Sequence, residues 1–103
     1  MVVGAWETGG QVYFENLSQP NGLPLSAPGE GKGRKHPRIA IARNGEMLMA
    51  WTEGTGWQRG GSLARQVFDR DGKPIGDMRV ERGVPVWSFA AVAAKPNGFV
   101  VLY

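Results

Sequence analysis

Glycine and proline are spread so evenly along this chain that they exclude most helical folds. The 103 residues include 16 Gly and 7 Pro, and no stretch free of both is longer than ten residues. An average globular helix takes about 11–12 residues, and both residue types are unfavourable inside a helix. Since 42% of the residues are hydrophobic, enough for a core, we expect an all-β fold in a single small domain.

The absence of cysteine and of long apolar runs excludes several classes of protein. With no Cys in the sequence, disulfides and Cys-ligated metals are excluded, and a single His argues against a zinc site. No apolar run approaches the ~20 residues of a membrane span, and the N-terminus lacks the pattern of a signal peptide. We therefore expect no cofactor, no metal and no membrane insertion, and the localisation stays undetermined.

The sequence repeats itself, in the same order, at intervals of about 50 residues. Residues 4–7 return at 49–53, the double glycine 9–10 returns at 60–61, and the turn 21–25 returns at 71–75. A third, partial copy follows, in which residues 88–103 resemble residues 37–51. Fixed-period repetition is typical of repeat architectures.

The complete copy predicts four short antiparallel strands, at about residues 38–43, 46–52, 62–69 and 74–80. Asn44-Gly45 and Asp71-Gly72 are hairpin signals, and we predict a two-residue type I′ turn at Asn44-Gly45. Four antiparallel strands per repeat, here named A to D, form the blade of a β-propeller. A β-sandwich also has short strands at this spacing, but it does not require the repeat.

The positions at which the repeats begin and end predict a partial propeller of about two blades. Residues 1–26 form the end of one blade, residues 37–81 a complete blade, and residues 86–103 the start of a third. Equivalent positions at the ends of the three B strands hold Trp6, Trp51 and Tyr103, which we expect to pack between blades. Because blades bury their faces only against neighbours, we expect self-association or further blades of a longer parent chain.

The net charge of +3 is concentrated in a short basic run. Lys32, Arg34, Lys35, His36 and Arg38 fall within seven residues. Cations alternating with glycine could bind phosphates or an acidic sugar, or form a solvated connection. The run has no interleaved aromatics for base stacking and no helix to enter a groove, so nucleic acid is not an expected partner.

Several motifs resemble blades of sialidase-like (BNR-type) propeller domains of bacterial secreted proteins. They are residues 50–54, 57–64 and 68–74, with Lys35-His36-Pro37 and Asn44-Gly45 before them. The resemblance implies a propeller, carbohydrate as the ligand class, and a secreted or periplasmic parent. The family's Asp-box, Ser-x-Asp-x-Gly-x-x-Trp, is absent, and no residue matches the arginines, the Tyr/Glu pair or the Asp of true sialidases.

In a propeller the B–C and D–A connections emerge on one side, and loops on one rim of a rigid scaffold tend to carry binding residues. The predicted B–C loop, residues 52–61, and the two D–A connections supply the candidate ligand-binding residues His36, Glu53, Trp57, Arg59 and Trp87. Trp57 would stack on a sugar ring, Arg59 would pair with an anion, and Glu53 would accept hydrogen bonds from hydroxyls. Each also has a purely structural reading, for Glu53 a hydrogen bond or ion pair of its loop.

The expected function is recognition of a carbohydrate or another macromolecule without catalysis. The alternative is a fragment of a sialidase-type glycoside hydrolase whose other catalytic residues lie on further blades. A two-carboxylate mechanism needs a pair of acids ~5–9.5 Å apart, and only Glu53 is placed on the rim. The sequence assigns no catalytic residue.

Overall fold

The fold is all-β with antiparallel pairing throughout, as expected. A computed structural model describes residues 1–19, 22–86 and 88–103. Among these residues there are nine strands and no helix, and therefore no helix that could cross a membrane. The strands are β1 (Val3–Thr8), β2 (Gln11–Asn16), β3 (Leu25–Ser26), β4 (Arg34–Ile41), β5 (Met47–Glu53), β6 (Gly61–Phe68), β7 (Pro74–Val84), β8 (Ala91–Lys95) and β9 (Gly98–Leu102).

The strands form three successive sheets. The first sheet has the order β1-β2-β3, the second β4-β5-β6-β7, and the third β8-β9. All four strands predicted in the complete copy are present in the second sheet, with ends shifted by up to four residues.

The second sheet is packed between the other two. On one face, Met49 and Trp51 of β5 form a core with Val12 and Phe14 of the first sheet. On the other face, Ala50 of β5 belongs to a second core between the second and third sheets. The other members of this core are Leu63 and Val84 of the second sheet, Ala90 just before β8, and Val92 and Val101 of the third sheet. Strand β5 is therefore covered on both faces, and its residues from Met47 to Thr52 are buried.

The expectation that Trp6, Trp51 and Tyr103 pack between sheets holds for one of them. Trp51 is fully buried between the first and second sheets, whereas Trp6 is half-buried and Tyr103 is 62% exposed. Trp6 faces away from the second sheet and has no sheet against it among the described residues, whereas Tyr103 lies one residue beyond the end of β9.

The predicted type I′ turn at Asn44-Gly45 is wrong. Gly45 has a φ of 90° but Asn44 has no positive φ, whereas a type I′ turn requires positive φ at both. The Gly45 amide donates to the carbonyl of Ala42, and the Ala42 amide donates to that of Glu46. These bonds close a three-residue loop, a type I turn followed by a left-handed glycine. The Asp71-Gly72 turn has the same pattern, with Asp69 and Lys73 at its base.

His36 lies inside a strand and not in a connection as predicted. Strand β4 begins at Arg34, and its pairing with β5 is interrupted by a bulge between Lys35 and Arg38. At this bulge His36 has a φ of 56°, although a residue before proline favours an extended backbone. The bulge adds residues on β4 without ending the ladder, which is why the strand extends past Pro37.

Candidate functional site

Three of the connections that the sequence assigns to one rim meet in the structure. The Arg34 amide donates to the carbonyl of Gly10 in the β1–β2 turn, and the Gly54 amide donates to the carbonyl of Gly33. The β3–β4 connection therefore lies against both the β1–β2 turn and the β5–β6 connection. This edge of the molecule is called the loop edge below.

Arg34 is the central side chain of the loop edge. Its guanidinium is fully buried, and Nε donates to Oε2 of Glu53 at 2.9 Å. Nη1 donates to Gln11 Oε1 and to the Ala27 carbonyl, both at 3.0 Å, and Nη2 donates to the Pro28 carbonyl at 2.6 Å. The same side chain therefore joins residues of the first sheet, the β3–β4 connection and β5, and it is a structural tie between sheets.

Glu53 is occupied by this tie. Its Oε2 accepts from Arg34 and also from Nε1 of Trp51, at 2.8 Å, and its side chain is only 16% exposed. Gly31 lies so close that a Cβ there would collide with the carboxylate. Glu53 is also the last residue of β5 and not a loop residue. The structural reading of Glu53, an ion pair, is the one observed.

Trp57 and Arg59 lie on a small hairpin within the β5–β6 connection. Gly56 and Arg59 exchange both backbone hydrogen bonds, at 2.9 and 3.1 Å, which closes a two-residue turn over Trp57 and Gln58. Arg59 Nε donates to the Gly54 carbonyl at 2.8 Å. The Trp57 side chain is 77% exposed, so the tip of this hairpin, residues 56–59, presents an aromatic ring to solvent.

The base of the hairpin is fixed by buried polar groups. Thr55 Oγ1 donates to Thr52 Oγ1, and Thr52 Oγ1 donates to the carbonyl of Lys35. Lys35 Nζ in turn donates to the Thr55 carbonyl at 3.2 Å. A Cβ on Gly61 would collide with the Glu53 carbonyl, so the double glycine permits the close approach of the two ends of the connection.

His36 forms a separate group with the segment that precedes the third sheet. Its ring lies 5.8 Å from the ring of Phe89, and the guanidinium carbon of Arg38 lies 4.9 Å over the same ring. Nε2 of His36 is buried and has no hydrogen-bond partner among the described residues. Trp87, the remaining candidate, lies outside the described residues.

The four candidate residues that the structure describes do not form one constellation. Trp57 and Arg59 share a hairpin, Glu53 is paired inward, and His36 packs on Phe89. Among the residues described, no hydrogen bond, ion pair or ring contact joins these three groups. What the loop edge offers a ligand is the exposed Trp57 ring with the Arg59 side chain beside it.

Two open cavities lie at the opposite edge, where the sequence predicts only short turns. A cavity of about 280 Å³ lies between the β2–β3 connection and the Asp71-Gly72 turn. A groove of about 810 Å³ lies between the β4–β5 and β8–β9 turns, lined in part by Arg43, Lys95 and Phe99. Neither is lined by a candidate residue.

Arg34 is the residue that sequence reasoning missed. In the sequence it belongs to a basic run that indicates anion binding or a solvated connection, and nothing in its neighbours separates it from Lys32 or Arg38. The Trp51–Glu53 contact had a signal, because residues two apart on a strand lie on the same face.

No three potential metal ligands of the His, Cys, Asp or Glu type cluster in the described part of the chain. Comparisons with known proteins found no matching family model, no matching curated protein and no matching solved structure.

Proposed function

We propose that the chain is a segment of a sialidase-like β-propeller that recognises a carbohydrate without transforming it. The observation that carries the proposal is Trp57, an aromatic side chain 77% exposed on a closed hairpin. A rigid, exposed indole stacks on apolar faces of sugar rings and costs little side-chain entropy when it binds.

The segment's architecture supports the propeller part of the proposal. Three antiparallel sheets follow one another along the chain, and each packs face to face on the next. The complete sheet has its strands in sequence order, as in a blade.

The state of Glu53 favours binding over catalysis. A catalytic carboxylate must reach a substrate, whereas Oε2 of Glu53 already accepts two hydrogen bonds beneath the glycine-rich β3–β4 connection. Arg59 retains exposed guanidinium nitrogens beside Trp57, which suits a sugar with an acidic substituent.

The test is glycan binding by the intact chain and by Trp57→Ala. We expect a glycan array to identify an acidic or hydroxyl-rich ligand, and titration to show at least a tenfold loss of affinity in Trp57→Ala. The melting temperature should not change, since the ring is exposed. Leu23→Ala is the matched control, because Leu23 is equally exposed at the cavity edge, and it should bind normally. Absence of glycan binding by the parent chain, or unfolding of Trp57→Ala, would refute the proposal.

A further inference from the structure

The outer face of the first sheet carries apolar side chains around one carboxylate, Glu15, and it is uncovered among the described residues. Val3 and Ala5 pack toward the second sheet, and because side chains alternate along a strand, Trp6 and Val2 face the other way. The Trp6 ring stacks on the Tyr13 ring, with 6.1 Å between the ring centroids. Val2 is 60% exposed, and Leu17 at the end of β2 is 58% exposed. We call this surface, formed by Val2, Trp6, Tyr13 and Leu17, the front face.

The outer face of the third sheet also carries apolar side chains. Val92 and Val101 pack toward the second sheet, so the alternate residues face outward. These are Ala91, Ala93, Val100 and Leu102, all of them exposed, Leu102 by 66%. We call this surface the back face.

The front and back faces are repeats of two surfaces that are covered inside the chain. Trp6 is equivalent to Trp51, which is fully buried because the first sheet lies on it. Val100 and Leu102 are equivalent to Leu48 and Ala50 of β5, both of which are buried. Ala50 belongs to the core shared with the third sheet, and Leu48, two residues before it, lies on the same face of the strand. The same front-to-back packing therefore occurs twice within one molecule, and each outer surface is one half of that contact.

We infer that a second copy of this chain packs its front face on the back face of the first. The contact is heterologous, with a different surface contributed by each copy, and it continues the stacking order already present within the chain. Trp6 and Tyr13 supply the large side chains, and the small residues Ala91 and Ala93 leave room for them. This inference rests on the observed packing and is independent of the proposed ligand.

Packing of faces is favoured over a single sheet shared by two copies. Strand β1 is paired with β2 over its full length, from Val3 with Asn16 to Thr8 with Gln11. A sheet merged from β8 and β9 of one copy and β2 and β3 of another would have to break that ladder. Stacking of the faces breaks no hydrogen bond.

The test measures the mass of the chain in solution and of three variants. Light scattering after size exclusion should give the parent a mass that is a multiple of 11.2 kDa, rising with concentration. Trp6→Glu and Leu102→Glu should each be monomeric, because a charge buried in either face is unfavourable. Trp57→Glu is the matched control, and it should associate like the parent because Trp57 lies on neither face.

Mixing the two monomeric variants separates this contact from any other. Trp6→Glu retains an intact back face and Leu102→Glu an intact front face, so an equimolar mixture should form a 1:1 complex. A parent that stays monomeric at millimolar concentration would overturn the inference, as would association that persists in Trp6→Glu or that mixing fails to restore. If circular dichroism shows that Trp6→Glu is unfolded, Leu17→Glu on the same face takes its place, since Leu17 is exposed.

Discussion

Arg34 keeps its charge in a fully buried position because its donors find oxygens on three different segments. Glu53 supplies the opposite charge, and the carbonyls of Ala27 and Pro28 accept the outer nitrogens. Its guanidinium also lies 5.2 Å from the Trp51 ring centroid. A buried cation without these partners would be strongly destabilising.

Replacing Arg34 by Met should lower the free energy of unfolding by about 3–5 kcal/mol, since the change leaves the Glu53 carboxylate buried without its counter-charge. Arg79→Met, on the exposed strand β7, is the control and should change stability by less than about 0.5 kcal/mol. Urea unfolding of both variants gives the comparison. Equal midpoints would show that the tie contributes nothing.

For single residues, the sequence predicts solvent exposure of a side chain better than it predicts hydrogen-bond partners. The lack of any alternating pattern around Trp57 allows a solvent-exposed ring, which the structure has. The inward turn of Arg34 depends on carbonyls of residues 27 and 28 and on Gln11, 23 residues away in sequence. A local pattern contains no information about such distant acceptors.

Among the elements, the irregular strands are those whose ends were predicted least well. Strands β4 and β7 each extend four residues beyond the prediction, and both contain bulges. A bulge shifts the alternation of side chains by one residue, so a strand that continues through it looks in sequence as if it had ended. The presence of all four strands followed from the repeat, whereas their register required the tertiary structure.

Gln66 holds the bulge between β6 and β7. It is buried, and its Nε2 donates to the carbonyls of Val67, Ile75 and Gly76. Gln66→Leu removes these bonds and leaves the carbonyls without this donor, so we expect the free energy of unfolding to fall by about 1–3 kcal/mol.

Amide hydrogen exchange should show the same change locally, with faster exchange across β7 in Gln66→Leu than in the parent. Gln19→Leu, at an exposed glutamine, provides the comparison and should leave the exchange of β7 unaltered. Unchanged protection of β7 in Gln66→Leu would contradict the role assigned to Gln66.

For the whole molecule, the second sheet couples the two hydrophobic cores. Phe14 packs on Phe68 at 4.5 Å in the first core, and Leu63 lies in the second, on the other face of the same sheet. Loss of either core exposes one side of β5. The repeat predicted this succession of sheets, but the choice of facing residues depends on the twist and spacing of packed sheets, which periodicity does not specify.

Phe14→Ala and Leu63→Ala should therefore each destabilise the entire chain, by about 3–5 and 2–5 kcal/mol respectively. At one fixed protein concentration, tryptophan fluorescence and far-ultraviolet circular dichroism should report the same shifted midpoint for each variant. Separate midpoints for the two probes would mean that the cores unfold independently.

Because the two faces of each sheet differ, the stack of sheets has a direction, and this fixes how many faces stay uncovered. Every sheet has one face of the front type and one of the back type, and every contact between sheets covers one face of each type. A linear stack of any length is consequently left with one unmatched front and one unmatched back, however many sheets are added. Lengthening such a stack moves its two unsatisfied surfaces farther apart without removing them, and only an arrangement that returns to its own beginning has none.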